Sequence, residues 1–482
     1  MDFLDPLRRQ RHRTRLLISY VFLGLALAGG TILLVMAANG YGINPRTGDI
    51  IRNGLVFIDS RPSGATVRLN YIVESDKTSS RLLLPAGKYK LQLSRDGYQT
   101  WTNDFNLKLD DVIRFNYPLL LPRSIEQEPI HSYPAKPGFI SASPNRRWLL
   151  IGGAVSSDGR TTIDQFELKA GSPRTRLELP DNLLRSHSGS LKVVEWAEDN
   201  ENLLLKHQFN GRSQYLLFNR RDPARSYNVN DFFRIDPERA TFNGDRSDEL
   251  LLYRSGNLWL ADKEKRPLGS ALLSGLTDFT DVDRSLLLYA KTISGHLSIR
   301  ISTDGRRYQL ARLSTVDQPL LAGSDYNGGR YLSLVSRQHS RLAVWQVDTG
   351  SDGKISAKKV MSLRQENIEQ MKFSSSGRFL LVRAGQQVAV YDFELQKLLR
   401  YRLKAEQSPR LGWLDDYHLA AVSLQRLWMM DYDGQNQRQL PYSLYGSPVL
   451  APDYQRLWLL RAPAEGLHSW LSSLELLAPA DR

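Results

Sequence analysis

The most suggestive chemical signature in the sequence is Asp431-x-Asp433-Gly434-x-Asn436. Oxygen-bearing side chains at alternate positions around a glycine are what a calcium loop uses. The distal glutamate of such a loop is missing and apolar runs flank the stretch, so it reads as the turn of a β-hairpin. Asp110-Asp111 and Asp415-Asp416 each set two carboxylates side by side. Neighbours on an extended chain face opposite ways, so neither pair is expected to work as an acid/base couple. The eight histidines form no His-x-His or His-Glu-x-x-His spacing. There is no Gly-x-Ser-x-Gly elbow and no glycine-rich phosphate loop. Cysteine is absent, which removes disulfides, thiolate ligands and a thiol nucleophile. The sequence thus nominates no catalytic, metal or cofactor-binding residue and calls for no cofactor. A metal site assembled from distant segments stays open.

The elements that would position any site begin with a membrane segment. Residues 16–38 carry no charge, and 23 residues in a helix reach roughly 34 Å, enough to cross a hydrocarbon core of about 30 Å. Arg8, Arg9, Arg11, Arg13 and Arg15 precede it, against Asp2 and Asp5. A basic flank stays in the cytoplasm, so residues 1–15 are expected inside and residues 39–482 outside. A cleaved signal peptide is the alternative, but its apolar region spans only about 7–15 residues. The chain carries 64 Lys and Arg against 51 Asp and Glu, a net charge of +13, with no basic run beyond two in the ectodomain. That scatter argues against a nucleic-acid binder. The cysteine-free exterior points to a prokaryote.

Residues 39–52 hold Gly, Pro and Asn without an apolar period and read as a spacer. Residues 53–122 alternate as short strands, including Val67 and Leu69, then Tyr89, Leu91 and Leu93, then Phe105, Leu107 and Leu109, then Ile113, Phe115 and Tyr117. About six strands make a small β-sandwich. Three ordered motifs, Ser60-x-Pro62-x-Gly64-Ala65-x-Val67, Leu84-Pro85-Ala86-Gly87-x-Tyr89 and Gly97-Tyr98, resemble the PEGA domain. Ser63 stands where that family has Glu, and Asn70-Tyr71 with a polar loop through Ser80 replaces its Asp-Gly turn and Thr-Pro. The resemblance implies an accessory β-module of envelope proteins without catalysis, a spacer or wall contact. Tyr89 and Tyr98 read as packing residues. Trp101 is expected as an exposed aromatic.

Residues 123–137 contain three prolines and read as a linker with a strand near Pro129 to Tyr133. Residues 138–478 then repeat. Apolar runs recur at 148–151, 203–205, 250–253, 286–289, 331–334, 379–382, 418–421 and 456–459, with starts 36 to 55 residues apart. A four-stranded propeller blade takes about 40–45 residues. Eight units predict an eight-bladed β-propeller, with seven blades the alternative, and residues 125–134 could close the ring. Asp158-Gly159, Asp304-Gly305, Asp352-Gly353 and Asp433-Gly434 suit hairpin turns. Leu427-Trp428-Met429-Met430-Asp431-Tyr432-Asp433-Gly434, followed by Arg438-Gln439-Leu440, resembles the blade hairpin of TolB-type, Trp-Asp-repeat-like propellers. Eight of nine tryptophans fall in the repeats and are expected to pack between blades.

The expected chain is therefore all-β behind one transmembrane helix. Its expected role is a single-pass envelope protein whose extracytoplasmic propeller binds another envelope protein or a wall polymer. The alternative is an extracytoplasmic hydrolase or lyase with its site in the propeller channel.

Overall fold

The computed structural model describes residues 6–38, 41–43, 50–134, 136–155, 161–169, 174–186, 188–265, 267–350, 354–405, 409–424, 426–461 and 469–481. The turns expected at Asp158-Gly159 and Asp352-Gly353 lie outside them. The chain divides into two compact units, residues 1–124 with 478–482 and residues 125–477, and each is described by itself.

The first unit opens with the helix Pro6–Ala38. Its stretch Arg15–Met36 is long and apolar enough to cross a membrane, and it is not buried against the other described residues. A helix of this length and composition near the N-terminus is of the kind found in membrane anchors and signal peptides alike. Two four-stranded sheets follow. One joins Tyr41–Ile43, Ile50–Ile58, Ser80–Pro85 and Val112–Phe115; the other joins Ile72–Lys77, Thr66–Leu69, Gly87–Ser94 and Trp101–Leu107. Val56, Ile58, Val67, Leu69, Leu91 and Leu93 point inward at alternate positions and are buried. This is the period of 2 that a half-buried strand imposes.

Three expectations need correction here. Residues 39–52 are not wholly a spacer, because Tyr41–Ile43 pairs with Ile50–Arg52 at the head of the sheet. Leu109 lies past the strand end at Leu107 and is exposed. Trp101 is not exposed but 2% accessible. It opens a strand opposite Leu93, and its ring meets Phe115 and Tyr117 edge-on at 6.0 and 5.8 Å. A two-sheet module this small fills its interior by drawing the largest ring inward.

Residues 478–482 return to this unit. The buried Tyr98 hydroxyl accepts the Ala478 N–H at 2.8 Å and donates to Asp481 at 2.7 Å, while Arg95 pairs with the same carboxylate. Burial raises the Tyr98 hydroxyl above its usual value. The chain thus passes between its two units twice.

The second unit contains six consecutive four-stranded antiparallel sheets and one seven-stranded sheet. In the latter, the 13-residue strand Arg438–Leu450 serves two blades. Its first half pairs with Arg426–Asp431 and its second half with Arg456–Arg461. Counted this way the described residues form eight blades. Each apolar run named above falls on the second strand of a blade, from Trp148–Val155 to Arg456–Arg461. A second strand is covered on both faces, so it reads as a continuous apolar run. The ring closes through Gln127–Tyr133, which pairs with Ser469–Glu475 as the last strand of blade 8. Tyr133, Leu149, Phe166, Trp458 and Leu471 form one cluster across the junction of blades 8 and 1. Among the tryptophans, Trp345 and Trp458 are buried between blades, whereas Trp470 is exposed.

Candidate binding face

Within each blade the first-to-second and third-to-fourth turns lie at one end of the strands, and the second-to-third turns at the other. At the first end, neighbouring blades are stapled at every seam by polar contacts. Asn145 N–H donates to Asn200 at 2.9 Å between blades 1 and 2. Asp199 accepts from Ser247 between blades 2 and 3. Arg284 donates to Glu249 at 2.8 Å, and Arg330 to Ser285 at 3.3 Å, across the next two seams. Tyr326 donates to Glu394 at 2.9 Å, and the Ser376 N–H donates to Asp416 at 2.7 Å. Gly377 fits so tightly that a Cβ there would lie 1.9 Å from the Asp325 carbonyl.

The last two seams share one buried cluster. His418 Nδ1 donates to Asp415 at 2.9 Å, and its Nε2 lies 3.8 Å from Asp431. Asp415 also accepts from the Tyr417 and His418 N–H groups and from Tyr454. Arg146 of blade 1 sits 5.1 Å over the Tyr454 ring. Burial alone would raise the Asp415 carboxyl, but His418 and these donors hold it well below the usual carboxylate range. Asp415 therefore joins its own blade to Tyr454 of the next, while Asp416 reaches the preceding one. Asp431, Asp433 and Asn436 close their own turn: Asn436 donates to Asp431 at 2.7 Å, and the Gln435 N–H donates to Asp433 at 2.9 Å. Gly434 lies against the Tyr401 ring. Among the described residues no group of three or more His, Asp or Glu side chains is placed to hold a metal ion.

Two carboxylates that sequence reading missed lie on first strands. Glu195 of blade 2 accepts from the Thr241 hydroxyl at 2.6 Å and the Phe242 N–H at 2.9 Å, both on blade 3. Asp281 of blade 4 accepts from the Gly244 N–H at 3.4 Å. Burial raises both carboxyls, and Arg239 offsets this in part. A raised carboxyl is the kind of group that donates protons in catalysis. No spacing links Glu195 to residues 241 and 242; only the ring brings them together.

A raised folded pKa has a definite sign. The group favours folding below its unfolded value of about 4.3 and costs stability once the pH passes its folded value. Glu195→Gln keeps the acceptor for Thr241 and Phe242 and removes the charge. Its melting temperature is expected to equal or exceed wild type at pH 8, with the difference shrinking toward pH 4, measured by calorimetry.

The opposite end is built differently. Between blades 7 and 8 the strand Arg438–Leu450 runs straight through, blades 3 and 4 are joined by the single Gly275, and the connection between blades 2 and 3 holds a short helix, Val229–Phe233. Arg185 bridges two of these connections through Asp231 and Asp236. At this end of blade 5 a cavity of about 540 Å³ opens beside Trp345. This is where the blades differ from one another in length and charge.

Residues 53–121 match the PEGA domain. The match includes Tyr98 and Trp101 and leaves out Tyr41–Ile43 and Ile50–Arg52 at the head of the first sheet. No curated protein matches the chain. Among solved structures, the Dos1 propeller is 12% identical with a TM-score of 0.43, covering 73% of this chain and 95% of its own. An uncharacterised Listeria monocytogenes protein is 14% identical with a TM-score of 0.38, covering 66% and 91%. Dipeptidyl peptidase 4 of Porphyromonas gingivalis is 10% identical with a TM-score of 0.46, covering 68% of this chain and 57% of that one.

Proposed function

We propose that this chain is a membrane-tethered envelope protein whose TolB-type propeller is a binding platform for another envelope protein or a wall polymer. The basic tail stays in the cytoplasm of a bacterial cell, the helix crosses the membrane, and the PEGA domain and propeller stand outside. The PEGA domain acts as spacer or wall contact. One observation carries the reading: the blades are stapled at every seam at one end, while the connections at the other end vary in length and charge. A stapled end supplies rigidity, and a variable end on a rigid scaffold is where recognition is placed. Glu195 and Asp281 favour the alternative, an enzyme, because their carboxyls are raised. Against it, Glu195 spends its Oε2 on two donors of the next blade, which suits a staple better than a proton donor.

Affinity capture from solubilised envelopes with the full chain, alongside purified wall polymer, tests the platform. A saturable protein partner or saturable polymer retention is expected. Retention of neither, with turnover in a hydrolase screen that Glu195→Gln abolishes, would move the assignment to the enzyme.

A further inference from the structure

The cavity on blade 5 has an unusual charge pattern. Its rim carries Arg312, Arg341, Lys359 and Arg364, and no carboxylate is among its lining residues. Arg341 and Arg364 stand directly opposite each other on paired strands. Cβ atoms so placed lie about 5 Å apart, and like charges there are destabilising. Neither guanidinium has an ion-pair partner among the described residues. The nearby Asp317 is buried, accepts from the Ser336 hydroxyl and the Arg337 N–H, and forms no ion pair with either guanidinium among the described residues. The floor is apolar, with Leu334 and Ala343 buried beside Trp345, whose ring has Lys359 Nζ at 5.5 Å. A strand irregularity between Val344 and Trp345 brings Lys359 opposite the ring. The volume falls in the range of small-molecule sites, about 300–1,000 Å³.

A like-charge pair left uncompensated in a groove is a cost that an anion relieves. Guanidinium forks match phosphate oxygens in pairs, and the floor beneath adds apolar contact. From this we infer that the blade 5 cavity is a binding site for a phosphomonoester carrying an apolar group. The phosphate lies between Arg341 and Arg364, and the apolar part lies over the Leu334, Ala343 and Trp345 floor. The site is at the end of the ring already assigned to recognition and so refines that reading. It stands apart from macromolecular capture, which can succeed whether or not this cavity is filled.

The test uses the full chain in neutral phosphatidylcholine nanodiscs and equilibrium binding of four probes. Dihexanoyl phosphatidic acid represents a lipid source and 4-nitrophenyl phosphate a soluble one; inorganic phosphate and an acidic hexapeptide are the controls. One of the two esters is expected to bind saturably, at least about tenfold tighter than inorganic phosphate, and the tighter ester identifies the source. Arg341→Gln and Arg364→Gln are each expected to weaken it about tenfold. Ligand-free Arg364→Gln is expected to melt no lower than wild type, because it removes a like-charge contact. That readout separates a ligand role from a structural one. Equal binding of inorganic phosphate, tighter binding of the peptide, no binding of either ester, or indifference to both substitutions would overturn the assignment.

Discussion

His418→Ala is expected to destabilise the propeller by about 1–3 kcal/mol, the range for leaving a buried acceptor without its donor. His418 is 3% exposed and sits between Asp415 and Asp431, at 6% and 3%. Removing the imidazole leaves the buried Asp415 and Asp431 carboxylates without the ring that lies between them. The pH dependence gives a sharper check than the magnitude. Burial works to raise Asp415, yet His418 and the neighbouring donors hold its carboxyl depressed. A depressed folded pKa contributes stability above the unfolded value of about 3.9, and that contribution is lost as the pH falls through the folded value. The variant lacks most of it. The gap between wild type and His418→Ala, read from urea melts, should therefore be constant above about pH 5 and narrow as the pH falls toward and below 4. A gap independent of pH would mean that packing alone is lost. Because Tyr454 and Arg146 belong to the same cluster, Tyr454→Phe should couple with His418→Ala non-additively.

The second large effect concerns ring closure. A chain of residues 125–477 is expected to melt cooperatively as a monomer, whereas residues 138–477 should aggregate and melt at lower temperature. The difference is Gln127–Tyr133, which pairs with Ser469–Glu475 from Leu474 opposite Gln127 to Ser469 opposite Tyr133. Each ladder hydrogen bond contributes roughly 0.5–1.5 kcal/mol net, and Tyr133 adds a buried ring. Without that strand, Ser469–Glu475 becomes a bare edge, a template for pairing with other copies. Adding the peptide of residues 125–134 should restore the monomer. Identical melting of both chains would show that blades 8 and 1 hold together by packing alone.

The sequence exposed the parts of this molecule that are local. All eight second strands were readable because burial on both faces leaves an unbroken apolar run, as at Leu203–Leu205 or Phe379–Val382. The turn at Asp433-Gly434 was readable because its residue types have few other uses. Ring closure by residues 125–134 was readable only from the logic of repeats. What lay hidden depends on register or on the ring. Trp101 follows a Gly-Tyr turn and looked exposed, but its strand pairs with the buried Leu93. Tyr41–Ile43 carries too few apolar residues to signal a strand. Asp415 and His418 stand three apart around one turn, a spacing that could have flagged the pair had turns been searched for it. Glu195 meets Thr241 only after blades are assembled, and Arg341 meets Arg364 only across one blade's hairpin, whose register is irregular. The merging of blades 7 and 8 through Arg438–Leu450 was also hidden, since Pro441, Gly446, Ser447 and Pro448 read as a turn between two strands rather than as one continuous strand.

The central claim is that recognition belongs to the end of the ring bearing the second-to-third turns. The chain has no cysteine, so one introduced thiol is the only thiol present. His296→Cys places it at that end and Glu198→Cys at the stapled end, both at exposed positions. Each is capped with a bulky polyethylene-glycol maleimide, and partner retention is measured against the uncapped protein. Capping at position 296 is expected to abolish retention while capping at position 198 leaves it intact. Loss of retention from position 198 alone would contradict the claim and move the binding surface to the stapled end.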